Sequence, residues 1–211
     1  MVSKLRARDA SFRNEILCAL SDNELDLLRP HLKQVALKSG QVLHEPNSPI
    51  KDVFFVERGV VSLTADTHDH GQVEVGLTGR EGLVGASAIL NPRSYSVHRA
   101  FTQAEGDAYR LSTTVLRSAV ERSATLRDRC LRYLEMLMVQ TSQAAACNAR
   151  HNLPERLARW LLMVRDRIDS DDLPMTQELL SVMLGVRRSQ GSGGISGRDG
   201  PWTGQLPYQR A

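Results

Sequence analysis

The chain has 211 residues, 41% hydrophobic, 24% charged and only 5% aromatic, with a net charge of +3. That composition suits one large globular domain or two small ones and excludes wholesale disorder. No run approaches the roughly 18 apolar residues of a membrane span, and residues 1–20 interleave charge with apolar positions where a secretion signal needs an apolar core.

Cys18, Cys130 and Cys147 are far apart, and no CxxC pair or His-rich tract accompanies them. The sequence therefore predicts reduced thiols in a cytoplasmic protein, with no zinc or iron–sulfur framework and no cofactor. Charge is unevenly spread: net −2 over residues 1–109, +6 over 110–167 and −1 over the remainder. A near-neutral first half before a basic stretch suits a sensor joined to an anion-binding part. A solvated helix face carries the same signature.

Residues 11–29 read as one or two short helices, the second opened by the Ser21–Glu24 capping pair. From Leu37 to Leu111 the texture changes to short β-rich runs: Gln41–His44, Asp52–Val56, Val60–Ala65, Gln72–Leu77, Ser96–Phe101 and Ala108–Leu111. Turn residues separate them, among them Ser39-Gly40, Pro46 to Pro49, Arg58-Gly59, the glycines 79, 82 and 85, and Glu105-Gly106. Short strands with glycine at most corners predict an antiparallel sandwich or jelly roll.

Ser112 caps a short helix, and a long one follows from about Thr125 to Ala149 with two apolar stripes. Leu131, Leu134, Met138, Thr141 and Ala145 step by three and four; so do Leu126, Cys130, Tyr133, Leu137, Gln140, Ala144 and Cys147 on a neighbouring face. One stripe docks a helix on its own domain. Two suit either a helix that also meets its twin in a two-fold dimer or one buried all round. Asn152 caps the next helix, with Leu157, Trp160, Leu161, Val164 and Ile168 on its apolar face, and residues 169–174 read as a linker.

The run Met175–Ser189 has the layout of a helix-turn-helix: Thr176 as cap, Gly185 at the turn, then Val186 and Arg187-Arg188 where a second helix would begin. Arginines there can take phosphates or the guanine edge. An ordinary helix pair with an exposed Arg-Arg fits the same residues. No GxSxG, HExxH or GxxxxGK[ST] motif supports an enzyme, and His68 and His70 read as exposed turn histidines, with no metal expected.

In this order the chain resembles the bacterial cyclic-AMP receptor protein/fumarate-nitrate regulator (Crp/Fnr) superfamily over about residues 15–188. The resemblance rests on Ser39-Gly40-Gln41-Val42-Leu43, Val53 to Val56 leading to Gly59 to Leu63, and Gly79-Arg80-Glu81-Gly82-Leu83-Val84-Gly85. It continues through Cys147-Asn148, Trp160-Leu161-Leu162 and Met175 to Leu179. It implies an α+β fold with a double-stranded β-helix (jelly roll) over residues 31–123, preceded by helices in 1–30. A dimerisation helix over 124–150 and a partial winged helix-turn-helix over 151–189 would follow.

By the same resemblance the chain is a homodimeric, promoter-binding transcription regulator that meets RNA polymerase and answers a small-molecule effector of unknown identity, without a membrane. Leu131, Leu134, Met138, Thr141 and Ala145 would form the dimer seam. Thr176 and Gln177 would touch phosphate, Arg187 and Arg188 would open the reading helix, and Gly82, Val84, Gly85, Ala86 and Ser96 would line the effector pocket.

The sequence departs from the family pattern in three places. Cyclic-nucleotide-binding members carry Gly-Glu in the phosphate loop and an Arg-Ser about ten residues on; here Ala86 follows Gly85 and Ser96 holds the arginine position, with Arg93 and Arg99 out of register. Cyclic AMP is therefore not the expected effector. Iron–sulfur members need an N-terminal cysteine cluster, and Cys18 stands alone there. After Ser189 the family's second helix and wing give way to Gln190-Gly191-Ser192-Gly193-Gly194 and a glycine-rich run to residue 211. Each glycine costs a helix about 1 kcal/mol against alanine, so residues 190–211 read as a disordered tail on a truncated or frame-disrupted helix-turn-helix. That opens an alternative reading: a sensor and dimerisation protein without DNA binding.

Overall fold

Two strands of unusual length carry the architecture. The computed structural model describes residues 12–67, 71–91, 93–168, 180, 182 and 183. Six strands form one antiparallel sheet rolled on itself: β1 (Lys33–Leu37), β2 (Val42–His44), β3 (Asp52–Asp66), β4 (Gln72–Thr78), β5 (Leu83–Val84) and β6 (Arg99–Ser112). The path runs β1-β6-β3-β4, with β2 also on β6 and β5 on β3. The expected jelly roll is present.

The two expected breaks at Arg58-Gly59 and Glu105-Gly106 are corrected by the structure. β3 and β6 each run through, paired from Asp52 opposite Ser112 to Thr64 opposite Arg99, with register shifts between Val56 and Val61. The glycines mark a bulge in a continuous ladder. Gly59 has φ +90°, and a Cβ on Gly106 would collide with the Arg58 carbonyl. Residues 96–98, expected at the start of a strand, lie before β6.

The caps predicted at Ser21, Ser112 and Asn152 each open a helix, and the structure adds Asn14 and Ser123. α1 (Glu15–Cys18) is capped by Asn14, and α2 (Asp22–Leu25) by Ser21. α3 (Thr113–Arg122) starts at Ser112, α4 (Ala124–Arg150) at Ser123, and α5 (Leu153–Arg165) at Asn152 with Glu155 completing a capping box. Asn14 is fully buried and does more than cap. Its Nδ2 donates to Val56 O at 3.0 Å and Gly82 O at 2.7 Å, fastening α1 to the roll. Glu24 accepts from Ser21 N (2.9 Å), Ser21 Oγ (2.7 Å) and Ser123 Oγ (2.8 Å), so one carboxylate ties α2 to the start of α4.

The main core fills the space between roll and helices, with Leu17, Leu25, Phe55, Leu83, Leu116 and Leu126 fully or almost fully buried. α4 sends Leu126, Cys130 and Tyr133 into it. Gln140, the polar member of that stripe, pairs with the backbone of β4: Leu77 N donates to its Oε1 (2.6 Å) and its Nε2 donates to Leu77 O (3.3 Å). Thr141 Oγ1 reaches Val75 O on the same strand at 3.2 Å. α5 packs Trp160, Leu161 and Val164 on Val60 and Leu77, joined by Met183.

Candidate functional site

A cavity of about 420 Å³ opens between the roll and α4. Its floor forms where β5 ends: Gly85 takes φ +87° and turns the chain into the short 3₁₀ turn Ala86–Ile89. A side chain at 85 would press on His44 Cε1 at 2.8 Å and Asp52 O at 3.3 Å, so only glycine makes this corner. Val84, Gly85, Ala86 and Ser96 line the cavity, as do Leu134, Met138 and Thr141, expected only in a dimer seam.

Gly82 is not among the lining residues. The aromatic ring of Tyr133 lies directly over it, so its lack of a side chain serves packing. His44, His98, Leu63 and Thr78 line the cavity and escaped the sequence reading, because no local motif links residues from β2, β3, β4 and the loop before β6.

The lining is electrically neutral. His44 Nε2 lies 2.9 Å from Asp52 O; a carbonyl only accepts, so Nε2 carries the proton and Nδ1 is left as an acceptor. Burial pushes the His44 pKa below its usual value despite Asp52, and burial does the same to His98. Among the described residues no lysine or arginine lines the cavity. Arg93 is exposed, and Arg99 lies 3.5 Å from Glu45. The Ser96 hydroxyl donates to His98 O at 2.6 Å.

Residues 34–123 match the family model of the cyclic nucleotide-binding domain. No curated protein sequence matches the chain. Among solved structures, the c-di-GMP-responsive global regulator CLP of Xanthomonas campestris is 15% identical with a TM-score of 0.68, over 82% of this chain and 89% of its own. FixK2 of Bradyrhizobium japonicum is 14% identical with a TM-score of 0.64, over 79% and 89%. A Crp/Fnr-family transcriptional regulator of Thermus thermophilus is 17% identical with a TM-score of 0.61, over 76% and 82%. The chain thus has the fold of Crp/Fnr regulators.

The cavity does not fit a cyclic nucleotide. A phosphodiester brought into the cavity would lose its hydration and meet no cation. Among the described residues no aspartate or glutamate side chain lines it to receive a ribose hydroxyl.

α4 leaves the domain with most of its Leu131, Leu134, Met138, Thr141 and Ala145 stripe exposed. Met138 is 72%, Val139 64%, Leu131 44% and Met136 37% exposed, and Thr141 and Ala145 are also open, while Leu134 is half-buried. The other stripe is buried at Leu126, Cys130, Tyr133 and Cys147. Burial raises the Cys130 thiol to about 12, so it stays protonated. Cys18, Cys130 and Cys147 form no disulfide, and no metal-binding cluster occurs among the described residues. No helix among them is long and apolar enough to cross a membrane.

Just past the end of α5, Arg167 Nε pairs with Glu81 Oε1 at 2.7 Å, both side chains largely buried. Thr176, Gln177, Arg187 and Arg188 lie outside the described residues, as do His68, His70 and the tail after Ser189.

Proposed function

We propose that this chain is a cytoplasmic, non-enzymatic transcription regulator of the Crp/Fnr type, a homodimer that binds promoter DNA and engages RNA polymerase. The observation that carries the reading is the exposed apolar stripe of α4 on a chain with the fold of those regulators. Lone exposed apolar residues are ordinary, but a stripe at helical spacing beside a buried one calls for a partner. Leu131, Leu134, Met138, Thr141 and Ala145 form the seam with the second copy. Beyond α5, Thr176 and Gln177 touch phosphate while Arg187 and Arg188 open the reading helix. The regulators CLP and FixK2 lend the reading their fold alone.

The test is fluorescence anisotropy of the purified chain with DNA from its own promoter against random DNA, at two salt concentrations. A regulator prefers its site by several kcal/mol, and Arg188→Ala abolishes the preference. The glycine-rich composition after Ser189 favours a second reading, in which the sensor and dimer helix remain without a DNA reader. Equal binding to both DNAs, erased by salt, is its signature.

A further inference from the structure

The cavity is built of six large apolar side chains, Ile50, Leu63, Leu83, Leu134, Leu137 and Met138, with polar groups set between them. Three of its hydroxyls are already committed inside the chain. Thr78 Oγ1 shares a 2.7 Å hydrogen bond with Tyr133 Oη, Ser96 Oγ donates to His98 O at 2.6 Å, and Thr141 Oγ1 shares its one proton between Leu137 O at 2.9 Å and Val75 O at 3.2 Å. His44 has given its ring proton to Asp52 O. Apart from the exposed hydroxyls of Ser87 and Ser142, the His98 ring and Nδ1 of His44, the space offers little to a ligand that must exchange water for hydrogen bonds, and much to one that only needs to leave water. Its volume falls in the range of small-molecule sites.

We infer that this cavity takes an uncharged, predominantly apolar small molecule and rejects cyclic nucleotides. The inference deepens the regulator reading by giving its effector a chemical class, but it stands on the cavity and not on DNA. A cyclic nucleotide would bury one unpaired negative charge among leucines, a cost that purine burial does not offset. An apolar body loses no such hydration, and contact with Leu63, Leu134 and Met138 stabilises it in proportion to the area removed from water.

The experiment compares two dyes that share one body and differ in one sulfonate, N-phenyl-1-naphthylamine and 8-anilino-1-naphthalenesulfonate, titrated by fluorescence into the full chain without DNA. The neutral dye is expected to saturate and to bind at least about tenfold tighter than the sulfonate. Millimolar cyclic AMP leaves its signal unchanged. Leu63→Trp, which fills the cavity wall, weakens the neutral dye by about tenfold or more, and Ser142→Trp, at an exposed position on the rim, does the same if Leu63→Trp fails to fold. Met136→Ser, on α4 outside the cavity, leaves binding unchanged. Displacement by cyclic AMP, equal binding of both dyes, or dye binding that resists the tryptophans and is lost in Met136→Ser would each overturn the inference. A chain that passes and still shows no promoter preference keeps the cavity and loses the regulator reading.

Discussion

The ring of Tyr133 occupies the space that a side chain on residue 82 would need. A Cβ built on Gly82 overlaps Tyr133 Cε2 and Cζ, and the ring is held there by the hydrogen bond its hydroxyl shares with Thr78 and by burial on every side. α4 can lie on the roll only because residue 82 stops at its Cα.

Gly82→Ala is therefore expected to lift α4 or force the ring off its rotamer, at a cost of about 1–3 kcal/mol. The companion change Tyr133→Phe keeps the ring and strips one hydrogen bond, costing about 1 kcal/mol. Denaturant unfolding measures both, and a larger loss in Tyr133→Phe than in Gly82→Ala would contradict this packing.

Asn14 offers a second test. Asn14→Ala removes the cap of α1 and leaves the buried Val56 and Gly82 carbonyls without their donor. Two unsatisfied carbonyls and a lost cap cost about 2–4 kcal/mol together. Asn14→Asp keeps the cap but cannot donate, so it should fare no better. A stability within error of the native chain in both variants would show that the N-terminal helices are not fastened here.

Glu24 makes the pH prediction. Partial burial raises its pKa, but hydrogen bonds from Ser21, Thr125 and Ser123 outweigh that and hold it at about 2. Its unfolded value is 4.5, so its contribution is complete above that value and is lost as pH falls toward about 2. Glu24→Ala is expected to cost about 1 kcal/mol at pH 7. The gap between variant and native chain should close as acid titrates the native carboxylate. A gap that stays constant from pH 7 to pH 3 would rule out this linkage.

The exposed stripe predicts a variant that changes assembly without changing the fold. Leu131→Asp with Met138→Asp places two charges where a second copy would sit, both on side chains already open to water. Sedimentation velocity should show the native chain at twice the monomer mass and the double variant at the monomer mass. The protomer's own stability should move by no more than about 0.5 kcal/mol per site. A native chain that sediments as a monomer at every concentration would end the dimer reading.

Local chemistry was legible in the sequence and non-local chemistry was not. Ser21, Ser112 and Asn152 announce helix starts because a cap acts on backbone within three residues. The two stripes of α4 were visible because 3.6-residue periodicity is written in consecutive residues, and the structure buries one of them and exposes the other. Arg58-Gly59 and Glu105-Gly106 misled because each looks like a turn; each is one half of a bulge whose other half lies more than forty residues away. Gly82 misled in the same way, since its neighbour is Tyr133 on another element. The effector pocket was half visible. Gly85 closes a motif and Ala86 adjoins it, whereas His44 and His98 are brought in by the roll alone.

The pairing of Gln140 with Leu77 bears on how this molecule fails. β4 ends the sheet path, so the outward carbonyls and amides of that strand are a template on which a foreign strand could lengthen the sheet. The amide of Gln140 imitates one residue of such a strand, and Thr141 covers the carbonyl of Val75 beside it. α4 is thus a guard on the open margin of the roll as well as a partner surface. Damage that undocks this helix uncovers sticky backbone before it unfolds the domain, so aggregation is the expected fate of such variants.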